Sequence, residues 1–163
     1  MKPASLPLQR REFIALAGGT VAAWPLSVRA QAQPVIGFLG GASPDRYAVG
    51  LSAFHGGLKD TGYVGGQNVE IEYRWAEGHY DRIPMFATEL VHLHVDVLVS
   101  AGGAPSALAA KAATATIPIV FALASDPVEI SLVASLSRPG GNLTGVTDLN
   151  VEVGPKRLEL LRE

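Results

Sequence analysis

Three short apolar runs set the limits on how this chain can fold: residues 35–39 (VIGFL), 95–100 (VDVLVS) and 118–123 (PIVFAL). Each is too short for a buried helix and too continuously apolar for a strand with one wet face. Each therefore reads as a strand inside a parallel sheet, covered on both faces. Helical periodicity fills the intervals. Tyr47, Leu51, Phe54 and Leu58 share one helix face, and Gly62 stands where a helix stops. Ile83, Phe86, Ala87, Leu90 and Val91 form the apolar face of a second helix, with Asp81 as its expected N-cap. Pro105 suits the first position of a third helix, and residues 107–114 are mostly alanine, the best helix former.

Residues 69–74 break the pattern. Val69, Ile71 and Tyr73 alternate with Glu70, Glu72 and Arg74, which marks a strand at a sheet edge. A short helix over residues 128–136 leads to the turn cluster Arg138-Pro139-Gly140-Gly141-Asn142 and a fifth strand at 143–147. Leu158 and Leu161 give residues 155–163 helical spacing. This β–α alternation predicts an α/β fold, a three-layer parallel sheet with helices on both faces. With the second strand at an edge, the order becomes flavodoxin-like, 2-1-3-4-5. A ligand crevice then opens between strands one and three, at their carboxyl ends. The loops at 40–44 and 101–105 flank it.

Composition removes several function classes. The 163 residues hold one sizeable core. Residues 31–163 carry nine basic and fourteen acidic side chains, against the basic stripe that a nucleic-acid partner requires. Cysteine is absent, so disulfides, thiol catalysis and thiolate metal sites are excluded. Gly37-Phe38-Leu39-Gly40-Gly41-Ala42 fails the dinucleotide fingerprint, and Tyr73-Arg74-Trp75 ends the second strand without its acidic residue. Gly41-Ala42-Ser43-Pro44-Asp45 lacks the second glycine of a nucleophile elbow, and Pro44 removes an N–H from any oxyanion hole. His92 and His94 are two apart, and His55 and His79 lie elsewhere, so surface histidines are expected. Neither an enzyme nor a cofactor or metal site is expected.

The first thirty residues read as an address. Arg10-Arg11-Glu12-Phe13-Ile14 opens an apolar run to Trp24, and Val28-Arg29-Ala30 resembles a signal-peptidase site. The run is too short to span a bilayer. The paired arginines match the twin-arginine pattern R-R-x-F-[IL] residue for residue. Residues 1–30 are thus expected to be an export signal, read by the twin-arginine or the general export machinery. The mature protein is expected in the periplasm.

Three helix starts remain as the candidate site: Ser43-Pro44-Asp45, Ala104-Pro105-Ser106 and Ser125-Asp126-Pro127. Each places a small hydroxyl residue and a proline at a junction whose simplest role is capping. Together, at one end of one sheet, they offer free N–H groups and hydroxyls to a carboxylate or another small polar ligand.

Longer motifs carry a family resemblance. Pro34-Val35-Ile36-Gly37-Phe38-Leu39, Gly62-Tyr63-Val64-Gly65-Gly66-Gln67-Asn68-Val69 and Glu72-Tyr73-Arg74-Trp75-Ala76-Glu77-Gly78 resemble the ABC transporter substrate-binding protein family. The resemblance is to its tryptophan/tyrosine-binding branch, with the type 1 periplasmic-binding fold. The segment from Leu136 to Thr147, with Arg138-Pro139-Gly140-Gly141-Asn142, fits the same pattern. The resemblance implies two lobes around a cleft, a small polar or carboxylate-bearing solute such as an amino acid, and a cognate membrane permease. It implies ligand contacts at Ser43, Pro44, Ser100, Ala101, Gly102, Gly103, Ala104, Ser125 and Asp126. Residues 31–150 would be the N-terminal ligand-binding lobe, and residues 151–163 the start of a helix crossing toward a second lobe that this chain lacks. A single lobe is expected to bind weakly or not at all, and micromolar affinity by isothermal titration would overturn that. A ligand-sensing domain of an extracytoplasmic regulator, built on the same fold, is the alternative expectation.

Overall fold

The structure, a computed structural model, describes residues 33–148 and 158–161. The expected export signal and most of the expected crossing segment lie outside those residues. Five strands form one sheet: β1 (Val35–Gly40), β2 (Glu70–Trp75), β3 (Val97–Ala101), β4 (Ile119–Leu123) and β5 (Leu143–Thr147). All pairings are parallel, in the order β2-β1-β3-β4-β5. Three helices connect them: α1 (Ala48–Asp60), α2 (Ile83–His92) and α3 (Ala104–Ala113).

The main core lies between the sheet and α2–α3. Leu39, Leu98, Ile119 and Phe121 point into it from the strands, Ile83, Ala87 and Leu90 from α2, and Ala107 and Ala110 from α3. Each fully buried aliphatic side chain contributes about 1.5–3 kcal/mol relative to exposure. The alanines let α3 sit close to the strands.

The opposite face of the sheet is aromatic. Phe38, 1% exposed, lies 5.2–5.9 Å from the rings of Tyr47, Phe54, Tyr73 and Trp75. α1 covers this cluster with Leu51, Phe54 and Leu58, as its periodicity predicts, but none of its residues is fully buried. It ends in a Schellman motif, with Tyr63 N–H donating to Leu58 O, Gly62 N–H donating to Lys59 O and Gly62 at φ +88°. Beyond the cluster this face is open. β4 buries Ile119, Phe121 and Leu123 but exposes Val120, and Val146 of β5 is 70% exposed.

Four sequence expectations are corrected. Residues 128–136 form a turn through Ser131 and then irregular bends rather than a helix. β-branched Val128 and Ile130 favour helix weakly, and Ser131 at φ +58° stops it. Leu132 and Val133 are still buried in the main core. Asp81 caps nothing through its side chain; it sits inside a 3-10 turn (Tyr80–Arg82) that runs straight into α2. Pro105 is the second rather than the first residue of α3, because Gly103 at φ +76° is the N-cap. β4 was expected to be covered on both faces and is covered on one.

Candidate functional site

At the carboxyl ends of the strands the connecting loops converge. Parallel strands end at one edge of the sheet, and the crevice forms where neighbouring connections leave for opposite faces, between β1 and β3. There the chain is mostly glycine and alanine. A Cβ placed on Gly41 would lie 2.9 Å from Gly102 O and 3.0 Å from Gly102 Cα, so the two loops touch backbone to backbone. Gly102 is equally constrained, since an added Cβ would meet the Ser106 hydroxyl and the Gly41 nitrogen. Only glycine at both positions permits that approach.

A cleft of about 560 Å³ opens over this contact. Its floor is Ala42, Ala101, Gly102, Gly103, Ala122 and Ala124, and Tyr47, Tyr80, Val146, Thr147 and Asp148 also line it. Tyr80 is 55% exposed, whereas Tyr47 belongs to the aromatic cluster beneath α1. α3 begins beside the cleft. The N–H groups of Ala104 and Ser106 have no acceptor within the helix by virtue of their first-turn positions, and Pro105 has no N–H. Beside the cleft lies a smaller cavity of about 300 Å³, lined by Gly41, Ala42, Ser43, Arg46, Glu77, Gly78 and Tyr80.

The sequence-derived candidates divide accordingly. Ala101, Gly102 and Gly103 line the cleft, and Ser43 lines the side cavity. Ala104 begins α3, and Pro44 opens a turn over residues 44–47 that precedes α1 by four residues. Ser100, in β3, is fully buried, and its hydroxyl, like that of Ser106, has no hydrogen-bond partner. Ser125 accepts a bond from Thr147 Oγ1 at 2.7 Å, tying the loop after β4 to the end of β5. Asp126 Oδ1 accepts Val128 N–H at 2.7 Å, which makes it a turn residue, as expected.

Sequence reasoning missed the two tyrosines. Tyr47 looked like one more apolar position of a helix face, and Tyr80 carried no periodicity at all. Their place after β1 and β2, near the crevice, was the available signal.

A larger groove of about 620 Å³ lies between α1 and the outer edge of β2, lined by His55, Lys59, Tyr63, Glu70 and Tyr73, among others. Size does not choose between the two. The loop backbones converge at the cleft, whereas the groove is a gap between an exposed helix flank and an edge strand. The groove contains a hydrogen bond between Tyr73 OH and His55 Nε2 at 3.0 Å, and burial raises the Tyr73 pKa. On the α2 side of β2, Arg74 bonds Glu89 at 2.8 Å and Glu72 at 3.3 Å. The Glu89 hydrogen bond holds its guanidinium above the usual range, against partial desolvation. No cluster of metal-ligating side chains occurs among the described residues, and none of their helices is long and apolar enough to cross a membrane.

Comparison with known proteins places this architecture. The family described as ABC transporter substrate binding protein matches residues 33–163. A tyrosine-binding protein of Clostridioides difficile is 40% identical over 106 residues, which are 64% of this chain and 30% of that protein. A conserved domain protein of Vibrio cholerae superposes with a TM-score of 0.71 at 36% identity, over 81% of this chain and 44% of that one. An ABC domain from Streptococcus pneumoniae, solved in complex with L-Trp, superposes with a TM-score of 0.64 at 30% identity, over 71% and 39%. The chain thus spans less than half the length of each of these relatives. With the sheet order, the crevice and a family match across all the described residues in agreement, the chain belongs to the ABC transporter substrate-binding protein family.

Proposed function

We propose that this chain forms one wall of the solute cleft in an exported binding protein that serves an ABC importer, and that its solute is a small molecule with an aromatic side chain, of the aromatic amino-acid class. One observation carries the reading: a small-residue floor lies at the crevice of a parallel sheet, with Tyr47 and Tyr80 among its lining. Alanine and glycine leave room for a planar group to lie against backbone, and tyrosine rings add offset or edge-to-face contacts of about 0.5–1.5 kcal/mol beyond area burial. In this reading the loops carrying Ser43–Pro44, Ser100–Ala104 and Ser125–Asp126 make the wall. Some touch solute, and others, such as Asp126, hold the loop shape. The tyrosine-binding and L-Trp-bound relatives support the aromatic class.

Residues 1–30 act as the twin-arginine export signal, which puts the mature protein in the periplasm beside its permease. Residues 31–150 are the ligand-binding lobe, residues 151–163 begin a crossing helix, and a second lobe closes over the solute. Capture of a solute on fixed loops requires no bond making, so the reading includes no catalysis.

Saturation-transfer NMR of the chain with the twenty amino acids and simple carboxylates tests this. L-Phe, L-Tyr and L-Trp should receive saturation on their ring protons, and Tyr80→Ala should reduce it at least threefold. Equal responses from alanine and acetate, or ring saturation that Tyr80→Ala leaves unchanged, would sink the proposal.

A further inference from the structure

The side cavity is small, polar and fixed in place. Its two walls are the loop after β1 (Gly41 to Arg46) and the loop after β2 (Glu77 and Gly78). Two backbone bonds fasten them together: Ala76 N–H donates to Gly40 O at 2.8 Å, and Gly78 N–H donates to Gly41 O at 2.9 Å. Between these anchors Glu77 stands at φ +54° and Gly78 at φ +86°. A left-handed conformation is unfavourable for glutamate by about 1–2 kcal/mol, so the anchored neighbours hold it there. The Glu77 carboxylate has no hydrogen-bond or ion-pair partner among the described residues. Arg46, on the facing loop, likewise has no partner for its guanidinium among them. The cavity thus presents one cation and one anion that are not bridged to each other.

Its volume of about 300 Å³ is some ten times the roughly 30 Å³ that a water occupies in the liquid, ample for a group of five or six heavy atoms. Ala42 and Tyr80 line both this cavity and the cleft, so a molecule seated in one reaches the other past the Tyr80 ring.

We propose that the side cavity is the head-group subsite for the zwitterion of an α-amino acid: Arg46 takes the carboxylate, Glu77 takes the ammonium, and the side chain passes Tyr80 into the cleft. This rests on the cleft being the solute site. A guanidinium presents paired donors to a carboxylate, and the carboxylate of Glu77 accepts from an ammonium. Mono-ionic analogues leave one of the two unpaired. The geometry therefore selects amino acids over both amines and carboxylic acids.

The test compares L-Phe with phenethylamine, which lacks the carboxylate, and 3-phenylpropionate, which lacks the ammonium. Affinities come from 15N chemical-shift titrations of the chain and of its Arg46→Gln and Glu77→Gln variants. Both residues are exposed, so neither variant threatens folding, and an unchanged spectrum in the absence of ligand verifies this. The parent should bind L-Phe about tenfold more tightly than either analogue, the size expected for hydrogen bonds to charged groups. Arg46→Gln should bring L-Phe and phenethylamine within twofold of each other while keeping the preference over 3-phenylpropionate. Glu77→Gln should do the converse. If L-Phe binds at the cleft and both variants keep both preferences, the head-group assignment is wrong and the cleft reading survives. If L-Phe shifts the resonances of the larger groove and leaves those of the cleft unmoved, both fall.

Discussion

Gly102→Ala is the substitution that the loop geometry penalises most directly. The added Cβ would overlap the Ser106 hydroxyl on one side and the Gly41 backbone nitrogen on the other, with Gly41 Cα at 2.8 Å. The serine hydroxyl can rotate away. Gly41 cannot move so easily, because its carbonyl accepts Gly78 N–H and the preceding carbonyl accepts Ala76 N–H. Overpacking costs about 1–3 kcal/mol where neighbours yield, and a rigid backbone neighbour puts this site at the upper end, about 2–3 kcal/mol. For a domain of this size that lowers Tm by about 6–10 °C. Urea melts of Gly102→Ala and of Gly102→Ala/Ser106→Ala separate the two contacts. Removing the hydroxyl should recover less than half of the loss, since the Gly41 overlap remains. A single variant within 0.5 kcal/mol of the parent, or full recovery in the double variant, would show that the loops are not pressed together.

Three further outcomes follow from the packing. Phe38→Ala should cost about 3–5 kcal/mol and abolish the near-UV circular dichroism of the aromatic cluster, whereas Val49→Ala, at a residue 87% exposed, should stay within 0.5 kcal/mol. Tyr73 is neutral in the fold and its pKa is raised by burial, so its contribution is fully present below about pH 10 and fades as pH rises through the higher folded value. Tyr73→Phe should therefore lose less stability than the parent between pH 9 and pH 11 in urea titrations. Glu89→Gln breaks a partly exposed ion pair with Arg74 and should cost only about 0.2–1 kcal/mol, shrinking in high salt.

The architecture was legible because it rests on long-range periodicities. The edge position of β2 followed from the alternation of Val69, Ile71 and Tyr73 with charged residues, and that one inference ordered the whole sheet. The buried face of α2 followed from spacing alone. Local details were harder, because tertiary contacts decide them. Residues 128–136 carry enough leucine and valine to look helical, yet burial of Leu132 and Val133 needs no helix and Ser131 at φ +58° prevents one. The apolar composition of β4 implied two covered faces, but Val120 is exposed, as is Val146 of the neighbouring β5. Composition records which surfaces are meant to be buried, not what buries them. Near the crevice, glycine and alanine pointed to the cleft that Ala101, Gly102 and Gly103 line. The larger side chains that line the cleft and the side cavity were harder to find: Tyr47 read as one more position of a helix face, and Tyr80, Arg46 and Glu77 lie in turns where no period singles them out.

The central claim is that solute meets this chain at the carboxyl edge of the sheet. A 15N-HSQC titration with L-Phe tests it most directly. The account predicts saturable shifts of the Ala42, Gly102, Gly103, Ala124 and Thr147 amides, with Lys59, Gly65 and Gly66 of the larger groove unmoved. Shifts concentrated at Gly65 and Gly66, with the cleft amides silent, would contradict it.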